Sequence, residues 1–135
     1  MTTVIHFHAH IGRGIPEAAD RLQRDISAEM VLQPAREAGV DRTVVFPVTY
    51  LADAYAGANR EVAEAVAAAP EHLTGFARLH PLAGDASAQL VDAVEHLGLK
   101  GLKLHHGCDS FPIAHPRVGA DIDPPMVGQI LFGTC

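Results

Sequence analysis

The most constraining feature of the sequence is a run of alternating histidine and apolar residues near its start. From Val4 to Gly12 the chain reads V-I-H-F-H-A-H-I-G, with His6, His8 and His10 two residues apart. Alternation of this kind has the period of a β-strand, so we expect a strand that presents the three imidazoles on one face. Histidines at i and i+2 at a strand end can reach one ion, because neutral imidazole is a good ligand for zinc and similar metals. The stretch predicts a metal-binding strand; the alternative is a packed strand whose histidines are hydrogen-bonded into the core.

The remainder of the first hundred residues alternates between helical and strand patterns. β-Branched and apolar runs predict buried strands, and apolar residues at helical spacing predict helices between them. The predicted strands are Arg42–Val48, Leu73–Leu79 and Leu99–His105, and the predicted helices are Glu17–Arg24, Ser27–Ala38, Tyr55–Ala69 and Asp85–Leu97. Strands joined by helices require crossover connections, so the order predicts an α/β fold with a parallel sheet.

Several residues mark where the predicted helices begin and end. Ser27 and Asp85 have the short polar side chains typical of helix N-caps. Gly39 is a typical C-terminal stop. Pro34 lies inside the first long helical pattern and should kink that helix or move its start.

The last part of the chain has a different composition. Residues 109–135 contain four prolines. The chain has two cysteines, Cys108 just before this region and Cys135 as its last residue. No helical period is visible here, and Val127–Phe132 is the one strand-like run. We therefore expect residues 1–108 to form the structured unit and residues 109–135 to form an irregular tail with one terminal strand.

Composition excludes several classes of function. The net charge of −6 over 135 residues argues against binding to nucleic-acid phosphates, which requires clustered Lys and Arg. No apolar run is as long as a membrane span, and no signal peptide precedes the first strand. The two cysteines lack C-x-x-C spacing, so we interpret them as inert thiols of a cytoplasmic protein. Neither a nucleic acid nor a membrane is therefore an expected partner.

Four segments together resemble the amidohydrolase-related family, the metal-dependent hydrolases and decarboxylases built on a (β/α)8 barrel. The similarity extends from Val4 to Gly107, and the segments keep the family's order and spacing. They are H-F-H-A-H-I-G, A-G-V-D-R-T-V-V-F-P-V, A-N-R-E-V-A-E-A-V-A-A-A-P-E-H-L-T-G-F-A-R-L-H-P and L-G-L-K-G-L-K-L-H-H-G. A closed barrel needs about 250 residues. The resemblance therefore implies an incomplete TIM-type barrel of four to five parallel strands, equivalent to the N-terminal half.

The resemblance also implies a set of site residues. His8 and His10 match the family's first two metal ligands. His6 stands where the family usually has an Asp, and it could be a third ligand, a residue that orients a ligand, or a packed residue. His80 and His105 lie at the carboxyl ends of two predicted strands, where such barrels build their active sites. Each of these two could bind metal or substrate, or could be a loop-edge histidine.

The implied cofactor is one divalent metal, zinc or alternatively manganese, that polarises a substrate carbonyl or carboxylate. Lys103 shares the predicted face of His105, and some superfamily members carry a carboxylated bridging lysine on this strand. The family's general base comes from later strands, so the catalytic residues of this chain stay unknown. Gly133 occupies the place of the family's strand-five histidine.

Three functional hypotheses follow. The first is a metal-dependent hydrolase acting on a small carboxylate, amide or lactone, or a decarboxylase with the same metal constellation. The second is a non-catalytic half-barrel remnant. The third is a half-barrel that assembles with a copy of itself or with a complementing C-terminal half. The substrate and the choice between hydrolysis and decarboxylation stay open, because the later strands that would decide both are missing.

Overall fold

The computed structural model describes residues 2–15, 24–120 and 129–132. Within these ranges the chain forms one sheet of five parallel strands in the order β1-β2-β3-β4-β5. The strands are β1 (Ile5–Ile11), β2 (Arg42–Pro47), β3 (Leu73–Arg78), β4 (Gly101–Leu104) and β5 (Gln129–Phe132). The predicted parallel α/β sheet of four to five strands is confirmed. Sequential order without a reversal is that of a barrel segment, because a doubly wound sheet changes direction at a switch point.

Helices connect the strands in the predicted order. They are α1 (Ala28–Glu37), α2 (Tyr55–Ala68), α3 (Ala86–Val91), α4 (His106–Asp109) and α5 (Pro116–Ala120). A turn of 3₁₀ helix at Ala52–Ala54 precedes α2, and a π-helical turn at Asp92–His96 extends α3. The predicted helix at Glu17–Arg24 lies almost entirely outside the described residues. No helix in the described ranges is long and apolar enough to cross a membrane.

The helix-terminus signals are confirmed in part. The Ser27 hydroxyl accepts a hydrogen bond from the Met30 amide at 3.3 Å, so α1 starts where predicted. Pro34 therefore does not move the start of α1 and lies within the helix. Asp85 occupies the N-cap position of α3, but its side chain makes no capping bond. Its Oδ1 instead accepts a hydrogen bond from Gln89 Nε2 at 2.9 Å.

The two faces of the sheet are packed differently. The outer face carries the main apolar core against the helices, and Val45, Val62 and Leu102 are completely buried in it. Val66 packs against this core from α2, as the helical spacing predicted. The inner face, which would line a barrel, carries a second and smaller cluster of Val44, Phe46 and Phe76. Charged and histidine side chains share this inner face, so the groups that could bind a metal or a substrate are concentrated there.

The segment after β4 is more regular than predicted. Two short helices form here, α4 just before the expected irregular tail and α5 within it. The reason for the first is local, because the imidazole of His105 accepts a hydrogen bond from the Cys108 amide at 3.2 Å and caps α4. For the second, Pro116 stands at the first helical position, where its fixed φ suits a helix. The terminal strand-like run is confirmed as β5, within the described residues 129–132.

Candidate metal centre

A register irregularity in β1 decides which histidines share a face. His6 pairs with Thr43 and His10 pairs with Phe46, so four residue steps on β1 match three on β2. One extra residue is thus accommodated between His6 and Ala9, as in a β-bulge. Thr43 and Phe46 are an odd number of residues apart and point to opposite faces of β2. The prediction that all three imidazoles share a face is therefore wrong for His6, which lies on the Thr43 face.

The other two histidines converge on the inner face. His8 Nε2 and His10 Nε2 are 3.3 Å apart. Two nitrogens bound at 2.0–2.1 Å to a tetrahedral zinc ion would be about 3.3–3.4 Å apart. The two nitrogens therefore already have the separation that one zinc ion requires of two ligands.

The hydrogen bonds of His10 fix which nitrogen carries its proton. His10 Nδ1 lies 3.1 Å from the Pro47 carbonyl oxygen, which can only accept a hydrogen bond. Nδ1 therefore carries the proton and Nε2 keeps its lone pair. His8 Nε2 then donates to His10 Nε2 in the metal-free chain. His10 therefore has the arrangement that a metal-binding imidazole needs, with Nδ1 anchored by a carbonyl and the lone pair on Nε2.

Electrostatics keep His10 neutral. Burial lowers the pKa of His10 to about 4, and the nearby charges of His8, Arg78 and Lys103 act in the same direction against the Pro47 hydrogen bond. A neutral imidazole binds metal without first losing a proton. His10 is therefore ready to ligate at neutral pH.

The Phe46 ring supports both imidazoles. The ring centroids of His8 and His10 each lie 4.8 Å from that of Phe46, in edge-on geometry. Lys103 Nζ lies 5.0 Å from the same centroid, as a cation–π contact. Phe7 packs edge-on against Phe76 at 6.0 Å, so it leans towards the inner face beside His8, as adjacent residues in a bulge do. Aromatic packing thus fixes the rings that hold the two nitrogens.

Two buried cations face the same region from neighbouring strands. Arg78 and Lys103 are direct register partners on β3 and β4, and each is 3% exposed. Like charges directly opposite each other are unfavourable. Asp109 is the one carboxylate among the buried polar residues of the described chain. The inner face therefore has a positive bias, which suits an anionic ligand.

Sequence reasoning missed the cluster that surrounds Arg78. Its Nη1 donates to the Thr49 carbonyl at 2.9 Å, its guanidinium lies 5.0 Å above the Tyr55 ring, and its Nη2 is 3.7 Å from Asp109 Oδ2. The Tyr55 hydroxyl donates to Asp109 Oδ1. Burial, with this hydrogen bond, raises the pKa of Tyr55 above its usual range. The available signal was the charged residue that ends the mostly apolar strand L-T-G-F-A-R.

His80 and His105 use their ring nitrogens within the chain. His80 Nδ1 accepts from the Leu82 amide at 3.2 Å, and its Nε2 donates to the Asp109 carbonyl at 2.8 Å. His105 Nδ1 accepts from the Cys108 amide, so its proton is on Nε2, which lies 3.8 Å from Cys108 Sγ. Burial lowers the pKa of His105, and Arg78 and Lys103 add to this effect. Neither Nε2 presents a lone pair.

The described residues provide half of a tetrahedral metal site. In the ranges 2–15, 24–120 and 129–132, no three His, Cys, Asp or Glu side chains are placed to hold one ion together. The His8–His10 pair fits a metal by the 3.3 Å separation of its Nε2 atoms, and His10 fits also by its tautomer and its neutral state. His8 would bind through Nε2 once the proton has left that nitrogen. Gly133, which stands where the family has a further histidine, lies outside the described residues, as does Cys135.

Comparison with known proteins shows which solved structures share this fold. No family model and no curated protein matches the sequence. Solved structures do match, and they include a probable 2-pyrone-4,6-dicarboxylic acid hydrolase from Acinetobacter baumannii with citric acid bound, at 18% identity and a TM-score of 0.64. The match covers 89% of this chain and 44% of that one. This chain therefore shares the fold of somewhat less than half of that hydrolase.

Two further solved structures show how widely this fold is used. A 2,6-dihydroxybenzoate decarboxylase from Rhizobium matches with a TM-score of 0.64 and 19% identity, over 90% of this chain and 46% of that one. A 4-oxalomesaconate hydratase from Rhodopseudomonas palustris matches with a TM-score of 0.62 and 17% identity, over 92% and 49%. The chain thus spans less than half the length of these proteins. Because their names cover three different reactions, the fold alone does not specify the chemistry.

Proposed function

We propose that this chain binds one divalent metal ion, most simply zinc, through His8 Nε2 and His10 Nε2. The observation that carries the proposal is their 3.3 Å separation, with the His10 proton held on the opposite nitrogen by Pro47. Manganese is the alternative ion. His6 lies on the other face of β1, and in His80 and His105 a backbone amide that donates to Nδ1 fixes the proton on Nε2. The remaining ligands would therefore come from chain segments or partners beyond this group.

We propose further that the chain is a metal-dependent hydrolase, or the N-terminal half of one, that acts on a small carboxylate, amide or lactone. A bound zinc ion would lower the pKa of a water molecule and polarise a carbonyl. The chain's own residues would hold the ion, and Arg78 and Lys103 would favour an anionic substrate on the inner face. Phe46 would keep the imidazoles in place and exclude water from one side of them. A carboxylated Lys103 is not needed, because its ammonium packs against Phe46.

A decarboxylase is the second candidate reaction. Its support is the pair of buried cations beside the histidines, which would stabilise a substrate carboxylate as well as a hydrolytic intermediate. The two reactions are separated by their products. Carbon dioxide release from a hydroxybenzoate would indicate the decarboxylase, whereas ring opening of a lactone would indicate the hydrolase.

An incomplete barrel that pairs with a second half is the structural alternative. Its support is β1, which lies at one edge of the described sheet with Val4, Ile5 and Phe7 exposed by 46%, 52% and 40%. An exposed apolar edge strand favours association. The partner would be a second copy or a complementing C-terminal half, and a single half with no partner would be a non-catalytic remnant.

The experiment that tests the proposed activity is a screen of small lactones, amides and hydroxybenzoates with the zinc-loaded chain. We expect turnover that is abolished by a chelator and by His8→Ala/His10→Ala. Light scattering of the same sample would give the oligomeric state. Zinc binding without turnover in a monomer would reject the enzyme for this chain alone and favour the incomplete barrel.

A further inference from the structure

The sheet is open between β2 and β3 at the edge that carries the histidine pair. The pairing of these two strands ends at Val45 and Gly75, although β2 continues to Pro47 and β3 to Arg78. On their other sides both strands stay paired to their ends, with β1 and β4 respectively. Strand ends that separate leave backbone N–H and C=O groups that need new partners. Side chains in this opening therefore determine where the two strand ends lie.

Asn59 provides the new partners for the end of β3. It lies on α2 and is 3% exposed. Its Nδ2 donates to the Arg78 carbonyl at 2.9 Å, and its Oδ1 accepts from the Arg78 amide at 2.8 Å. One side-chain amide thus satisfies both backbone groups of Arg78, as a neighbouring strand would do. Asn59 therefore fixes the backbone of Arg78 relative to α2.

The Arg78 side chain reaches across the opening to the chain that continues β2. Its Nη1 donates to the Thr49 carbonyl at 2.9 Å, and its guanidinium lies 5.0 Å above the Tyr55 ring. Arg78 and Thr49 are both buried. A hydrogen bond from an ionised donor is stronger than a neutral one, and burial strengthens it further. This bond therefore holds residues 47–49 from the β3 side.

The segment held in this way contains the carbonyl that sets the proton position of His10. The Pro47 carbonyl, two residues before Thr49, lies 3.1 Å from His10 Nδ1. Between them along the chain, the Val48 amide donates to the Ile11 carbonyl of β1 at 3.1 Å. If the Pro47 carbonyl moved away, the His10 proton could transfer to Nε2, and the lone pair that binds metal would be lost.

We propose that Asn59 is a positioning residue for the metal ligand His10. It acts through Arg78, whose guanidinium holds the segment that presents the Pro47 carbonyl to His10. Its effect on zinc affinity rests on the proposed metal binding. Its effect on the His10 proton applies to the metal-free chain and can be measured whether or not the chain binds zinc.

The test is Asn59→Leu, which is close in size but lacks the amide. Ring-nitrogen NMR of the whole metal-free chain at neutral pH should show His10 with its proton on Nδ1 in the wild type and partly on Nε2 in the variant. Competition with a zinc-binding dye should show zinc affinity weakened by about tenfold, as for other residues that orient a metal ligand.

Val62→Ala is the matched control. Val62 lies one turn further along α2 and is completely buried, so its truncation should lower stability. It should leave the His10 tautomer and the zinc affinity as in the wild type, because Val62 packs in the outer-face core. Equal changes of both readouts in the two variants would overturn the proposal, since they would indicate only a general loosening of α2.

An unchanged His10 tautomer in folded Asn59→Leu would also overturn the proposal. Should that variant not fold, Arg78→Lys tests the same path, because lysine keeps the positive charge but lacks the planar guanidinium that reaches Thr49. It should move the His10 proton in the same direction, and an unchanged tautomer would again contradict the path. A wild type that binds no zinc, with the tautomer still altered in Asn59→Leu, would reject the metal site and support the positioning role.

Discussion

The histidines after β3 and β4 and those on β1 look alike in the sequence but differ in their hydrogen bonds. In His80 and His105 the Nδ1 atom accepts a hydrogen bond from a backbone amide two or three residues ahead, which places the proton on Nε2. In His10 the Nδ1 atom donates to a carbonyl on the neighbouring strand, which leaves the Nε2 lone pair for a metal. The comparison teaches that a histidine becomes a ligand or a turn-stabilising residue through the partner of its other nitrogen.

The largest expected effect is a loss of stability when Asp109, which lies beside His80 and Arg78, is replaced. Asp109→Ala should lower the free energy of unfolding by about 3–5 kcal/mol, because Arg78 would stay buried without its carboxylate and Tyr55 would lose its acceptor. His8→Ala, at an exposed position, should change it by less than about 0.5 kcal/mol. Urea denaturation of both variants measures this difference. Similar losses of unfolding free energy in the two variants would show that His8 is as important for stability as Asp109, which would contradict this comparison.

A second prediction concerns acid, to which both kinds of histidine should respond. The folded chain holds the pKa of His10 at about 4, against 6.5 in the unfolded chain. The unfolded state therefore binds the proton first as the pH falls. The contribution of His10 to stability should be complete above about pH 6.5 and should decrease by up to about 3 kcal/mol as the pH falls to about 4.

This pH dependence can be measured by urea denaturation of the metal-free chain at a series of pH values. His10→Gln should flatten the acid part of the profile, because glutamine does not titrate. Part of the slope should persist in this variant, since burial also lowers the pKa of His105. An unchanged profile for His10→Gln would mean that His10 is not held neutral by the fold.

A smaller effect is expected at His80. His80→Ala should cost about 1–3 kcal/mol, because the Leu82 amide and the Asp109 carbonyl would lose their partner. Zinc affinity should change by less than twofold in the same variant. Thermal unfolding and zinc titration together give both values. A large loss of zinc affinity with little loss of stability would place His80 among the ligands instead.

The smallest expected effect is on zinc affinity, through the Phe46 ring that packs against His8 and His10. Phe46→Leu should weaken zinc binding by about tenfold, because both imidazoles would lose the ring that fixes their orientation. The comparable change on the outer face, Val45→Ala, should lower stability without altering zinc affinity beyond twofold. Competition with a zinc-binding dye measures both affinities. Equal zinc affinities in the two variants would show that Phe46 does not position the metal-binding imidazoles.

The order of strands and helices could be predicted because periodicity and helix caps are local signals. Ser27 and the apolar spacing of Val62 and Val66 specify their elements without reference to distant residues. The bulge in β1 could not be predicted, because the alternating pattern is equally compatible with a regular strand. The bulge places Phe7 and His8 against residues of β2 and β3, which are distant in the sequence.

The candidate site could be predicted only as a set of residues. The H-x-H spacing identified His8 and His10, but the proton positions depend on Pro47, which is 37 residues from His10. The same is true of His80, whose second partner, Asp109, is 29 residues away. The α4 helix was missed because a histidine is an uncommon cap and the prolines dominated the pattern. Residue type can be read locally, whereas proton placement is a property of the tertiary structure.

The most direct test of the central claim is zinc stoichiometry in two matched double variants. Elemental analysis of the folded size-exclusion peak should find about one zinc ion per wild-type chain and per His80→Ala/His105→Ala chain. In His8→Ala/His10→Ala the zinc should be lost. Zinc retained in the β1 variant, zinc lost in the other pair, or no zinc in the folded wild-type chain would contradict the account.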